Sequence, residues 1–231
     1  MNEESCKTLE CGVSNYDMYK CQKVFIDGVE CKGAWKILDR IGEKSINAEV
    51  YKACDRKDYC NYVFKKIVFK HPSEIANFRN EVRAQNAAGD LAPKIVQVLQ
   101  SEMTAGIVMN AFSHTMKRLI INVWESNLDQ ATRDHIIIST IREAYELVHK
   151  LHNRGIIHGD THLDNFMQND TTKEWVIIDF GNARFAKDNR IGDFNSLFRS
   201  VKMLSKALKF PEDLDKLILD IYDEYYNLMV S

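Results

Sequence analysis

Two stretches of this sequence concentrate side chains able to do chemistry. The first runs Leu151-His152-Asn153-Arg154-Gly155-Ile156-Ile157-His158-Gly159-Asp160-Thr161-His162-Leu163-Asp164-Asn165, and the second is Val176-Ile177-Ile178-Asp179-Phe180-Gly181. In them a His-Gly-Asp triplet is followed, five residues after the Asp, by an Asn, and then by an apolar run closed by Asp-Phe-Gly. Carboxylates and amides are oxygen donors suited to a hard cation, and a carboxylate can orient the proton of a hydroxyl. Ordinary loop carboxylates are the plain alternative for Asp160 and Asp179. The fixed order of the polar positions, beside a helix and a strand, favours chemistry.

Such residues need a frame. Trp35, Ile37 and Ile41 with Gly42, then Val50 to Cys54, then Tyr62 to Ile67, are short β-rich runs divided by turns and predict an antiparallel sheet. His71-Pro72-Ser73 marks a helix start, Phe78, Val82 and Gln85 follow at helical spacing, and Gly89 marks the end. Ile95 to Leu99 and Gly106 to Met109 read as two more strands. After Phe112 the pattern becomes mostly helical. Ile137, Ile141, Ala144, Val148 and Leu151 draw an apolar stripe on a helix ending near Arg154-Gly155. Phe194, Leu197, Val201, Leu204 and Leu208 draw a second stripe, and Leu214, Ile218, Ile221 and Tyr225 a third. Short strands at Ile156-Ile157, Phe166-Met167 and Trp175 to Ile178 lie between the first two. The expectation is an α+β chain. An irregular Cys-bearing arm, 1–32, precedes a sheet with one helix, 33–111, and a mainly helical part, 112–231.

The His158-Gly159-Asp160, Asn165 and Asp179-Phe180-Gly181 motifs together resemble those of the protein-kinase-like superfamily. The resemblance covers roughly residues 35 to 210 and implies a bilobal fold that binds Mg-ATP. Phosphoryl transfer asks for little covalent work from a protein, so positioning the nucleophile and neutralising phosphate charge dominate. By resemblance Asp160 orients the attacking hydroxyl, with His162 as a second catalytic candidate, while Asn165 and Asp179 hold magnesium. His158 becomes a scaffold for the loop. Val63-Phe64-Lys65 resembles the strand whose lysine contacts the nucleotide phosphates, and Glu81, beside Phe78 and Gln85, is its expected ion-pair partner. Glu74 shares that face, but at a first turn it is equally explained by the helix dipole. Solvated surface charges are the alternative for Lys65 and Glu81.

The remaining nucleotide contacts also come from the resemblance. Ile41 to Tyr51 is similar at its ends to a Gly-rich phosphate loop, yet Gly42 alone remains of three glycines and Ala48 takes the place of the last. Val50 would cover the adenine. Ile107-Val108-Met109-Asn110-Ala111-Phe112 resembles the last strand and hinge, with Met109 at the back of the pocket and backbone groups of Asn110 and Phe112 on the adenine; a plain buried strand is the alternative. Asp193 resembles the residue that anchors the catalytic loop, or else is a helix N-cap.

Two departures bear on substrate. His162 stands where Ser/Thr protein kinases carry Lys, and Asp-x-His-x-x-Asn is similar to aminoglycoside and choline phosphotransferases. Asp193 lies only 12 residues after Gly181 and no Ala-Pro-Glu follows, so a long activation segment is missing or reduced. The preferred expectation is an atypical protein Ser/Thr kinase, similar to the RIO type, acting on a folded protein substrate. A kinase of small hydroxyl compounds is the runner-up, favoured by His162. A pseudokinase scaffold is the third reading, favoured by the glycine-poor loop.

Composition agrees with a globular chain. Its 231 residues are 45% hydrophobic and 28% charged, which excludes disordered, collagen-like and mucin-like classes. With 31 Lys plus Arg against 33 Asp plus Glu, no broad polyanion-binding face and hence no nucleic-acid partner is expected. The absence of a long apolar run and of a basic-then-apolar N-terminus leads to a soluble, cytoplasmic expectation. Cys6, Cys11, Cys21, Cys31, Cys54 and Cys60 are then read as free thiols, with a zinc site or a disulfide clip as the sharper alternatives. Zinc is disfavoured because the arm has no Cys-x-x-Cys pair and no His.

Overall fold

The computed structural model describes residues 18–20, 34–42, 48–55, 57–100, 103–169, 172–186 and 190–230. The chain divides into two compact units, one formed by residues up to 86 with 93–111 and the other by 87–92 with 112–231.

The first unit is a six-stranded antiparallel sheet with one helix. Strands β1 (Met18–Lys20), β2 (Ala34–Ile41), β3 (Ala48–Cys54) and β4 (Tyr62–Val68) follow in order. Helix α1 (Glu74–Ala88) intervenes before β5 (Ile95–Gln100) and β6 (Thr104–Asn110). The order across the sheet is β1-β2-β3-β4-β6-β5. Alternation of side chains along a strand splits the core in two. Ile107 joins Phe69, Phe78, Val82, Val98 and Ala105 on the side covered by α1. Its neighbour Val108 joins Trp35, Tyr51, Phe64 and Leu99 on the other. There the Trp35 indole donates to the Gln97 side-chain carbonyl, so both buried polar groups are satisfied.

Two expectations are corrected in this unit. The arm is not irregular throughout, because Met18–Lys20 pairs antiparallel with Ala34–Lys36 and extends the sheet. Cys54 and Cys60 are not free thiols but form a disulfide. Asp55 explains the pairing: its carboxylate accepts from the N–H groups of Lys57 and Tyr59, and this turn carries the chain back beside the end of β3. Cys6, Cys11, Cys21 and Cys31 lie outside the described residues.

The second unit packs the three apolar stripes together. Helix α2 (Met116–Trp124) precedes α3 (Gln130–Asn153), which Asp129 caps by accepting from Thr132 N at 3.0 Å. Helices α4 (Ile191–Leu208) and α5 (Glu212–Val230) close the unit. Tyr145 of α3 stacks on Phe194 of α4 with centroids 5.8 Å apart and on Tyr225 of α5 at 5.4 Å. Short strands β7 (His114–Thr115), β9 (Phe166–Gln168) and β10 (Trp175–Ile177) form one small sheet, and β8 (Ile156–Ile157) pairs with β11 (Arg184–Phe185). No helix among the described residues is long and apolar enough to cross a membrane.

Candidate active site

In the second unit the site is built around one buried carboxylate. Asp193 lies in the first turn of α4 but does not cap it, since the N-cap position is Arg190. Instead Asp193, 2% exposed, turns inward. Its Oδ2 accepts from His158 N at 2.8 Å and from His152 Nε2 at 2.8 Å, and its Oδ1 accepts from Gly159 N at 2.8 Å. Its backbone carbonyl takes the Thr161 hydroxyl. Burial alone would raise this carboxyl's pKa, but the bonds from His152, His158 and Gly159 outweigh it and hold Asp193 below the usual carboxylate range.

The loop is gripped from its other side as well. Asn165 Nδ2 donates to Asp160 O at 2.8 Å, and Ile178 N donates to Asn165 O at 2.9 Å. His158 Nε2 donates to Ile178 O at 3.0 Å, and its ring meets Phe180 edge-on at 5.0 Å. Burial pushes the His158 pKa down, although nearby Asp193, Asp179 and Asp160 oppose that. The neutral ring is thus a scaffold between the loop and the strand end. Asp179 follows with φ +64 and ψ +69, a left-handed conformation that costs a non-glycine residue energy and is characteristic of functional sites.

What this scaffold leaves accessible is the Asp160 carboxylate, whose side chain is 41% exposed. His162 Nε2 lies 3.7 Å from Asp160 Oδ1, and His162 Nδ1 lies 4.0 Å from Asp164 Oδ2. Asp164 is tied in turn to Lys117 of α2 at 2.9 Å. Sequence reasoning missed Lys117, Asp164 and the anchoring roles of His152 and Thr161. Lys117 lies 47 residues from Asp164 and carries no local signal of that pairing.

Gly159 is required by the same geometry. Its φ is +80, and a Cβ added there would lie 2.6 Å from the Asn182 carbonyl oxygen, a backbone atom that cannot swing aside. Gly159→Ala should cost about 2 kcal/mol or more in urea unfolding, and should displace the segment after Gly181. An unchanged midpoint would show that this segment yields freely.

In the first unit, Lys65 Nζ lies 2.6 Å from Glu81 Oε1, with 12% and 7% of the two side chains exposed. Val50 is the cross-strand partner of Lys65, so both share the face of the sheet that carries α1. Met109 packs against the α1 cluster, where its sulfur receives Gln85 Nε2 at 3.3 Å. Asn110 N donates to Lys94 O at 3.2 Å. Gly42 has φ +70, and half-buried Ala48 opens β3 opposite Ile67. Residues 43–47 between them lie outside the described residues, and Phe112 opens the second unit.

A family model described as protein kinase domain matches residues 35–203. The chain belongs to the protein kinase domain family. The matched stretch of this kinase domain begins in β2, contains Lys65, Glu81, Asp160, Asn165, Asp179 and Asp193, and ends within α4. A search of curated proteins found no match for the chain.

A kinase domain of this family implies a magnesium nucleotide, and in the second unit Asn165 and Asp179 are the residues that could hold its cation. Among the described residues no group of three or more His, Cys, Asp or Glu could cage a metal without help. Asn165 commits its amide nitrogen to Asp160 O, which leaves its side-chain oxygen as the donor toward a cation.

Proposed function

We propose that this kinase domain is a Mg-ATP-dependent phosphotransferase that delivers the γ-phosphoryl group to a Ser or Thr hydroxyl of a folded protein. The observation that carries this reading is the loop around Asp160, held by Asp193 on one side and Asn165 on the other while the Asp160 carboxylate remains accessible. A nucleophile-orienting group must be held still, because misplacement of about 1 Å can cost two orders of magnitude in rate.

Asp160 orients the acceptor hydroxyl and draws on its proton. Lys65, held by Glu81, offers a positive charge to the nucleotide phosphates. Asn165 and Asp179 would hold the magnesium, and bound Mg-ATP supplies the phosphoryl group. A protein acceptor is favoured by the match to a protein kinase domain, and residues 182–192, too few for a long folded peptide platform, restrict it to a folded protein. The acceptor is then recognised through its own surface. A small hydroxyl compound is the second reading, favoured by His162, which flanks Asp160 at 3.7 Å.

Nucleotide binding has a direct readout. A ligand that binds only the folded state stabilises it by about 2.7 kcal/mol at a hundredfold excess over Kd, a rise of roughly 5–10 °C in melting temperature for a chain of this size. Saturating Mg-ATP should produce such a rise, and Lys65→Met should reduce it. A flat response would favour a scaffold without nucleotide. With labelled ATP, transfer to the chain itself or to a folded protein supports the proposal, and label only in aminoglycosides or choline-like alcohols overturns it.

A further inference from the structure

One face of α4, away from the catalytic loop, carries a charge pattern that the phosphotransfer reading does not use. Arg199, Lys202, Lys206 and Lys209 follow one another at intervals of three, four and three residues, so they line one side of the helix and its C-cap. Met203 stands among them with 74% of its surface exposed. The one acidic residue of α4, Asp193, is buried beneath the catalytic loop and cannot offset them. Lys202 pairs with Asp215 at 2.9 Å, and Asp215 also receives the Ser205 hydroxyl. Arg199, Lys206 and Lys209 have no ion-pair partner among the described residues.

These cations surround a hollow. With half-buried Phe210 and Asp215 they line a cavity of about 580 Å³. Its lining is cationic at Arg199, Lys202, Lys206 and Lys209, apolar at Met203 and Phe210, and acidic only at Asp215, which Lys202 already pairs. Like charges at helical spacing repel one another, so an anionic occupant relieves a strain that the helix otherwise bears. A methionine suits such a lining because its unbranched, polarisable chain adapts to different apolar partners.

We infer that this face of α4 is a docking site for an acidic, partly apolar segment of a folded protein. On the reading proposed above, that protein is the phosphoryl acceptor. The cations run from Arg199 to the C-cap Lys209, ten helical steps or about 15 Å, which an extended peptide covers with about five residues. The hollow fits a chain that alternates carboxylates with apolar side chains. A membrane surface fits less well, because Met203 is the one exposed large apolar side chain on this face of α4. Single-stranded nucleic acid fits less well too, because the ring in the hollow, Phe210, already packs on Trp124 with centroids 4.7 Å apart. Docking at this face would supply the orientation that the short segment after Gly181 does not.

The test uses the full chain without nucleotide and a fluorescent peptide of alternating Glu and Leu, followed by anisotropy. The acidic peptide should bind, its Lys-for-Glu counterpart should not, and added salt should weaken the complex. Arg199→Glu with Lys206→Glu should weaken binding about tenfold or more at an unchanged melting temperature. If that pair fails to fold, Arg199→Gln with Lys206→Gln should weaken it by a smaller factor. No binding of the peptide, or binding untouched by either pair, overturns the inference. So does tighter binding of phosphatidylserine vesicles or of an oligonucleotide than of the peptide, or self-association of the chain that the same substitutions abolish. Asp160→Asn should bind the peptide as wild type does. Loss of docking with intact phosphotransfer therefore removes only this inference, whereas full activity in Asp160→Asn removes only the catalytic reading.

Discussion

Asp160→Asn should lower phosphotransfer by about a thousandfold while leaving the fold and Mg-ATP binding intact. The asymmetry follows from where the group sits. The backbone carbonyl of Asp160 receives Asn165 Nδ2, and that bond survives the substitution. The carboxylate itself is 41% exposed, so exchanging it for an amide of equal size removes little packing. What is lost is the negative charge that orients a hydroxyl and accepts its proton. Asp179→Asn should behave differently, weakening the magnesium-dependent part of nucleotide stabilisation as well as turnover. Measured side by side, the two variants should separate in a thermal shift with Mg-ATP and converge in the turnover assay. Equal turnover in wild type and Asp160→Asn would sink the assignment.

Asp193→Ala should be the most damaging change to stability, at about 3–5 kcal/mol, because it removes one acceptor from several buried donors at once. The N–H groups of His158 and Gly159 and the ring of His152 would all lose their partner. Asp193→Asn should cost less, since one amide oxygen can still accept from one of the two N–H groups. Its NH₂ would then face the other. The effect has a pH signature. The folded-state pKa of Asp193 lies below its unfolded value, so its contribution is fully present above about pH 4 and is lost as pH falls through the folded value. The stability gap between wild type and Asp193→Asn should therefore shrink at acid pH. His158 acts in an earlier window. Its pKa is lowered by burial, so the folded state binds its proton less readily than the unfolded chain, and stability should begin to fall as pH drops below about 6.5. Urea midpoints between neutral and strongly acid pH would reveal both slopes. A gap for Asp193→Asn that stays constant across that range would contradict a lowered Asp193 pKa in the folded state.

The segments that declared themselves in the sequence are those whose signal is local. The stripe from Ile137 to Leu151 and those on α4 and α5 repeat every three or four residues, and each became a helix with that face buried. The strand runs around Lys65 and Ile107 did likewise, because alternation along a strand is also written within a few residues. Helix α2 had the same kind of signal in Met116, Ile120 and Val123, but nine residues make too short a stripe to delimit against its surroundings. The family resemblance supplied what periodicity could not, namely which of many polar loop residues to consider.

Tertiary structure decided the rest. Whether Asp193 caps its helix or anchors the loop depends on contacts to His152 and His158, 41 and 35 residues away, and both roles use the same residue type at the same helix turn. The Lys117–Asp164 pair, the β1 edge strand and the β8–β11 ladder likewise join distant positions. The Cys54–Cys60 disulfide is a different case: its partners are close in sequence, but only the folded Asp55 turn brings the sulfurs together. Net charge near zero predicted no broad basic face, yet the folding of α4 gathers four cations on one side and buries its only acid. Composition averages over the whole chain, whereas a helix sorts its charges by angle, and that sorting matters only once the opposite face is packed against a core.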